Sequence, residues 1–483
     1  MTKAYRATGM VWPKGMLMET PDAPAVAWSI DGRTFSYRSQ LGGGVQLGGY
    51  VVVEAPQGPL LGQVLSQRSL EDGGHRLVTG DGQLLDAPPG QPAFDQVSLT
   101  AAPDELIAER LGRRGATIEL GTLRDAATVE ARLEAKGFNR HTFLCGQSGS
   151  GKTYTLGRLL EELLLRTRLP LLVLDPNGDH VHLGRTRDAT DPAVAASYTE
   201  AAGDVRVLSA EPHEGADPLR INLRELGDVG IAALLQLDPI VDRMEYNALL
   251  HGLRQIPREG VERVETALEA FRVAGDEMLD QIRLRVENLG VDRMAAWALR
   301  SARTISEVWA GDEPRAVIAD TSGFEAQRER TAVAVAVLEQ LWADRKRRRP
   351  LLLVVDEAHD VCPAEPQDPL QRFAVDRFTR IAGEGRKYGI HLLLASQRPD
   401  KLPENVLSQC DNLLLMRVNS AGDRAALASR FGFVPPELVE LAGTFGLGES
   451  LLVGKVSPDP QLARTGTRLT PEGGADVPTD WAS

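Results

Sequence analysis

The chain has 483 residues, of which 42% are hydrophobic and 25% charged, and a formal net charge of −13. That length exceeds one compact core and predicts two or three domains of ordinary soluble composition. The acidic balance excludes a general electrostatic attraction to nucleic acid, so any nucleic-acid binding needs basic groups gathered locally, in a ring or channel.

No run approaches the roughly 18 apolar residues of a membrane span, and the first residues, with Trp12, Pro13 and Glu19, do not read as a secretion signal. The expected location is cytoplasmic, with no membrane partner. Cys145, Cys362 and Cys410 lie far apart with no CxxC pair, so neither a zinc site nor a disulfide framework is indicated, and Cys145 reads as core.

Residues 1–100 carry short apolar segments, such as Val26, Trp28 and Ile30 in alternation and the run Tyr50 to Val53. Turn chemistry at Gly42-Gly43-Gly44, Pro56-Gln57-Gly58-Pro59, Asp81-Gly82 and Pro88-Pro89-Gly90 separates them. That spacing predicts a small all-β barrel or sandwich. Pro103-Asp104 opens a short helix through Leu111, and residues 101–139 read as a connector.

Thr142 to Thr155, TFLCGQSGSGKTYT, places Gly146, four residues, then Gly151-Lys152-Thr153 between an apolar strand and a helix with Leu156, Leu159, Leu160, Leu163 and Leu164 at helical spacing. This is a phosphate-binding loop: glycines let backbone N–H groups turn inward on a polyphosphate, the lysine reaches the β and γ phosphates, and the threonine hydroxyl ligates Mg2+. The helix dipole adds to the attraction. The chain is therefore expected to bind a nucleoside triphosphate, with ATP and Mg2+ as cofactors. The expected nucleotide-binding set is Gly146, Ser148, Gly149, Ser150, Gly151, Lys152, Thr153 and Tyr154.

Leu171 to Leu174 form a strand ending at Asp175-Pro176-Asn177-Gly178-Asp179. Acidic residues at the carboxyl end of a parallel strand face the ligand crevice, so Asp175 joins the nucleotide-binding candidates, while Asp179 reads equally as a turn cap. From about Leu219 to Ala310 the pattern is almost wholly helical and predicts an insertion packed beside the sheet. A strand at Ala316 to Asp320 and a helix from about Glu325 to Arg345 follow. That helix ends in the basic run Arg345 to Arg349, which reads as a solvated helix end or as a DNA-facing patch.

Leu351 to Val355, then Asp356-Glu357, is a buried strand that delivers two carboxylates. The first suits the metal shell, as a ligand beside Thr153, and the second suits deprotonation of an attacking water, so Glu357 marks a hydrolase. The strand His391 to Ala395 ends at Gln397, an amide placed to sense the γ-phosphate or hold the water. Between these strands, Arg386 and Lys387, with Arg380 in the same segment, are candidates for cations supplied in trans.

The stretches GQSGSGKT, LDPNGD, LLLVVDEAHD and especially GEGRKYGIHLLLASQRPDKLPENVLSQCDN resemble the HerA family of the FtsK-HerA branch of P-loop ATPases. The resemblance runs from about Arg140 to the late strand Leu451 to Lys455. It implies an α/β, RecA-like P-loop core with a helical insertion, preceded by a small all-β barrel. In numbers, these are a barrel at 1–100, core at 140–218 and 311–456, insertion at 219–310 and a C-terminal arm or tail at 457–483. It further implies a homo-hexameric ring around duplex DNA, ATP at subunit interfaces, a central channel for translocation and a partner nuclease such as NurA in DNA end processing.

On the same resemblance Lys152 and Thr153 bind phosphate and Mg2+, Asp356 is the metal-side carboxylate, Glu357 the catalytic base, Gln397 a sensor, and Arg386 with Lys387 the transmitted cations. Arg140 matches a basic position near the nucleotide. DPNGDH departs from the family's DPHGEY-like form at Asn177 and His180. The alternative role is an ATPase ring that serves as assembly platform for an effector enzyme in antiphage defence.

Overall fold

The computed structural model describes residues 25–72, 75–113, 115–255, 277–298 and 303–473. Residues 1–24 of the expected barrel domain, 256–276 and 299–302 of the expected insertion and 474–483 of the expected arm lie outside the described residues. The chain divides into two units, Met1–Pro103 and Asp104–Ser483. Among the described residues no helix is long and apolar enough to cross a membrane.

The first unit is an antiparallel barrel of β1 (Ala25–Ser29), β2 (Thr34–Gln40), β3 (Tyr50–Ala55), β4 (Gly58–Val64), β6 (His75–Leu84) and β7 (Phe94–Ala101), with β5 (Arg68–Asp72) paired to β6. The order β2-β1-β7-β3-β4-β6 closes on itself through β2–β6 pairing, which leaves these strands without a free edge. In β1 Ala25, Ala27 and Ser29 face inward, Val26 and Trp28 are half-buried, and Ile30 is 83% exposed. The interior is narrow because Phe35 and Tyr37 already fill it. A Cβ on Gly82 would sit 2.2 Å from the Phe35 ring, so small residues must face those rings.

The second unit is built on a twelve-stranded sheet of order β13-β12-β14-β11-β15-β16-β10-β17-β18-β19-β8-β9. Its parallel part comprises β10 (His141–Cys145), β11 (Leu171–Asp175), β12 (Val205–Ser209), β13 (Asp217–Pro218), β14 (Ala316–Asp320), β15 (Leu351–Val355), β16 (Ile390–Ser396) and β17 (Cys410–Leu415). All five residues of β10, β11, β14 and β15 are buried, as continuous apolar runs between helix layers require. α1 (Asp104–Arg113) opens the unit, and α2 (Lys152–Arg166) follows β10 and buries Leu156, Leu159, Leu160, Leu163 and Leu164. α3 (Pro192–Ala202), α4 (Gly227–Leu234), α5 (Arg243–Gln255), α6 (Glu277–Leu289) and α7 (Ile305–Asp312) lie between β11 and β14, and the last four make the described part of the helical block. α8 (Gln327–Asp344) and α9 (Pro369–Glu384) flank β15 in sequence.

Two segments differ from expectation. The stretch read as a connector contributes β8 (Ile118–Leu123) and β9 (Glu130–Leu133), and the stretch read as an arm or tail contributes β19 (Gln461–Thr465). With β18 (Glu449–Gly454) they extend the sheet in antiparallel fashion. The cause is α2, whose outer face needs cover. Glu162 accepts from the Glu119 N–H at 3.1 Å, Thr155 and Thr465 hydroxyls meet at 2.8 Å, and Glu161 accepts from the Leu469 and Thr470 N–H groups, both at 2.9 Å. Arg468, 1% exposed, reaches Glu161 at 3.4 Å. The chain from Arg468 to Gly473 is thus a strap across its own helix.

His141 ties three elements together beneath the strand that leads to the loop. Its Nδ1 accepts from the Leu392 N–H at 2.9 Å and its Nε2–H donates to the Ala382 carbonyl at 3.0 Å. Burial, aided by the Arg386 charge, pulls its pKa down to about 3. The unfolded chain takes up this proton below about 6.5, while the folded one resists until much lower pH, so the protein loses stability as pH falls through that window. His391, pulled down to about 4 chiefly by burial, acts with the same sign. His141→Phe keeps the ring volume but orphans the Leu392 N–H. Thermal or urea unfolding should show a loss of about 1–3 kcal/mol at pH 7.5, and a smaller drop than the parent between pH 7.5 and pH 5.

Candidate functional site

β10 ends at Cys145, and the chain turns through Gly146–Gly151 into the first turn of α2. Gly146 has no room for a side chain, since a Cβ there would lie 2.7 Å from Ser150 Oγ and 2.8 Å from Met416 Cβ. Gly151, at φ 89°, takes the left-handed turn that starts the helix. Residues outside the motif hold the loop. The Arg417 carbonyl accepts from the Gln147 N–H at 3.0 Å, the Arg417 guanidinium donates to the Gly149 carbonyl at 2.6 Å, and the Gly448 N–H donates to the Ser150 carbonyl at 2.9 Å. Sequence reasoning missed Arg417 and Gly448, and no local motif marks either.

In the sheet, β16 lies between β10 and β15, so the ends of these strands bring the loop, Gln397 and the two carboxylates together. Asp356 and Glu357 are 2% and 7% exposed. The Lys152 ammonium bonds to Asp356 Oδ1 and lies 3.1 Å from Glu357 Oε1, while Gln397 Nε2 donates to that same Oε1 at 2.7 Å. Burial alone would lower the Lys152 pKa, but Asp356 and Glu357 beside it raise it. Burial likewise opposes ionisation of Asp356, yet Lys152 overrules it and holds the carboxyl well below its usual range.

Glu357 itself sits in the left-handed region at φ 42° and ψ 49°, a strained backbone that throws its side chain off the strand direction. His359, which follows the acids closely in sequence, was also missed: its Nδ1 is 3.3 Å from Glu357 Oε2 and 3.1 Å from Ser396 Oγ.

The second oxygens, Asp356 Oδ2 and Glu357 Oε2, and Ser150 Oγ are buried with no hydrogen-bond partner among the described residues. Oxygen donors of this kind fit a hard divalent cation such as Mg2+, which is held through one or two carboxylates together with substrate phosphates. Thr153, half-buried in the first turn of α2, adds a hydroxyl on the loop side.

Other expected site residues lie elsewhere. Asp175, fully buried, spends both carboxylate oxygens on its own turn: Oδ1 accepts from the Asn177 and Asp179 N–H groups at 3.3 and 3.1 Å, and Oδ2 from the His180 N–H at 2.8 Å. It shapes the turn through these three backbone bonds. The Tyr154 hydroxyl accepts from the Arg468 N–H at 2.9 Å, which commits it to the strap. Ser148 is exposed at the loop tip.

Arg140 precedes β10 and lies 3.9 Å from Asp411, which also bonds Arg386 in the turn before β16. Lys387 is exposed beside them. Arg380 stacks 4.3 Å over the Trp342 ring, which Arg345 flanks at 4.5 Å. These cations stand at the starts of the parallel strands, whereas the loop and acids stand at their ends. A strand of five residues separates the two edges by roughly 16 Å, so Arg140 does not reach the nucleotide loop of its own chain. Arg349, in the basic run, stacks 5.4 Å over Trp309 and pairs with Glu313 at 3.3 Å.

Comparison with known proteins agrees with this geometry. The family described as Helicase HerA, central domain, matches residues 118–341. The DNA double-strand break repair helicase HerA of Pyrococcus furiosus is 23% identical over 75% of this chain and 71% of its own. Its namesake from Saccharolobus solfataricus is 24% identical over 78% and 73%. Among solved structures, VirB4 of Thermoanaerobacter pseudethanolicus superposes with a TM-score of 0.52 at 16% identity, covering 73% of this chain and 97% of VirB4, and shares the RecA-like fold. The central part of the chain matches the HerA helicase family, and the chain is a P-loop ATPase similar to those helicases.

Proposed function

We propose that the chain is an ATP-driven translocase on duplex DNA that works as a ring of identical subunits, hexameric in its closed form, together with a partner nuclease in DNA end processing. A role in DNA processing is supported by the relatives, which are named as DNA repair helicases. The observation that carries the ring is the division of the site. Loop, acids and Gln397 occupy one edge of the sheet, while Arg386, Lys387 and Arg140 occupy the other. Cations on the far edge serve a neighbour's nucleotide, which couples hydrolysis to movement between subunits.

In this reading the loop and Lys152 hold the triphosphate, and Lys152 exchanges its contact with the carboxylates for one with the phosphates. Water attacks the γ-phosphorus, the bond to the β-bridging oxygen breaks, and Glu357 takes the water's proton through Oε2. Gln397 holds the other oxygen of Glu357 and so fixes the direction in which the base points. Mg2+, held by Thr153 and Asp356, supplies charge neutralisation on the phosphate oxygens. Arg386 and Lys387 of the adjoining subunit meet the charge that develops on the transferred group.

Glu357→Gln should keep nucleotide binding and slow turnover by about 100-fold or more; normal turnover in a steady-state phosphate-release assay removes Glu357 as base. Mixing that variant with Arg386→Ala, each inactive alone, should restore part of the activity, because some interfaces then pair an intact acid with an intact arginine. Absence of recovery refutes action in trans. Turnover of the parent should rise several-fold with linear duplex DNA, and a rate indifferent to DNA refutes translocation.

A further inference from the structure

His180 is the one imidazole of the described residues that is both fully buried and aimed at the acids. Its Nε2 lies 3.7 Å from Asp356 Oδ2, and neither ring nitrogen, nor that oxygen, has a hydrogen-bond partner among the described residues. Asp356 Oδ1 is already occupied by Lys152 and by the Glu357 N–H at 2.8 Å. Two buried polar groups that face each other without other partners each carry a desolvation cost, and an apolar side chain would fill the same space without it. The backbone aims the ring. Its N–H is held by Asp175, its carbonyl accepts from the Leu183 N–H at 3.0 Å, and the neighbouring Asp179 carbonyl accepts from the Gly473 N–H of the strap, also at 3.0 Å.

We propose that His180 is a positioning residue for the ATPase reaction: its ring, donating through Nε2–H, closes on Asp356 Oδ2 and fixes the orientation of the carboxylate that faces the Mg2+–nucleotide. A small rotation of either side chain brings the pair within hydrogen-bond range. When Lys152 leaves for the phosphates, His180 stays on Oδ2 and the Glu357 N–H on Oδ1. Groups that orient a metal's ligands without touching the metal change its affinity about 10–100-fold. This inference rests on the Mg2+ reading of the site.

The test is the Mg2+ concentration that half-saturates binding of a fluorescent ATP analogue to the Glu357→Gln protein, in which turnover does not interfere. His180→Asn, too short to reach Asp356, and His180→Leu, which fills the space without bonding, should each raise that midpoint about tenfold and leave binding in EDTA unchanged. His180→Gln, whose amide N–H reaches, should return it towards the parental value. Thermal melts in Mg2+-free buffer identify any variant that has lost its fold. A parental midpoint in the folded Asn or Leu variant overturns the proposal, as does a Gln variant as impaired as Asn. If the parent's own binding ignores Mg2+, the metal reading falls, and this proposal with it.

Discussion

The molecule is arranged around a buried ammonium held between two buried carboxylates. Lys152 reaches Asp356 and Glu357 from the opposite side of an intervening strand, with all three side chains 9% exposed or less. Burying such charges costs several kcal/mol per ion, and only close mutual contact with further hydrogen bonds offsets it. Gln397 and the Glu357 N–H supply those bonds. The arrangement is held under tension by design: a lysine that balances two acids is ready to exchange them for phosphate oxygens, and a strained glutamate with one oxygen anchored has its other oxygen directed to one side.

The chemistry was legible in the sequence to the extent that it is local. The loop, the carboxylate pair and Gln397 each stand at the end of an apolar run, and strand order then brings them together. The rest depends on tertiary context. Asp175 at a strand end reads as a ligand until its turn claims both oxygens. The strands β8, β9 and β19 are short and carry charged residues, and β8 pairs with β19 far along the chain, so periodicity marked them as connector and tail. His180 and Arg417 act through neighbours remote in sequence, and no spacing rule reaches them. In the barrel, the alternation in β1 was visible, but alternation by itself does not say which face is buried.

The two edges of the parallel sheet have opposite characters. One carries acids, amide and phosphate loop; the other carries Arg140, Arg386 and Lys387, with a single Asp411 between the arginines. A protein with net charge −13 keeps these cations together on one side, which is the local gathering that its acidic composition demands of any anion contact. The stacking of Arg345 and Arg380 on Trp342 shows that part of this positive edge is structural, since a guanidinium laid on an indole is oriented as well as charged.

The strap over α2 bears on how the protein is made. Arg110 bonds Asp459, Arg132 pairs with Gln461, and Glu161 waits for Arg468, so partners more than 300 residues apart complete the same layer. Chains fold from the N-terminus as they leave the ribosome, and the barrel unit, closed within Met1–Pro103, has all its strands before the second unit is made. The loop helix does not: besides Arg158 one turn away, its Glu161 takes partners from Arg468, Leu469 and Thr470, the first of them 307 residues further along the chain. The catalytic unit is therefore finished only once the strap has been made, and a chain that stops before Arg468 would carry a closed barrel and an ATPase unit whose loop helix is uncovered.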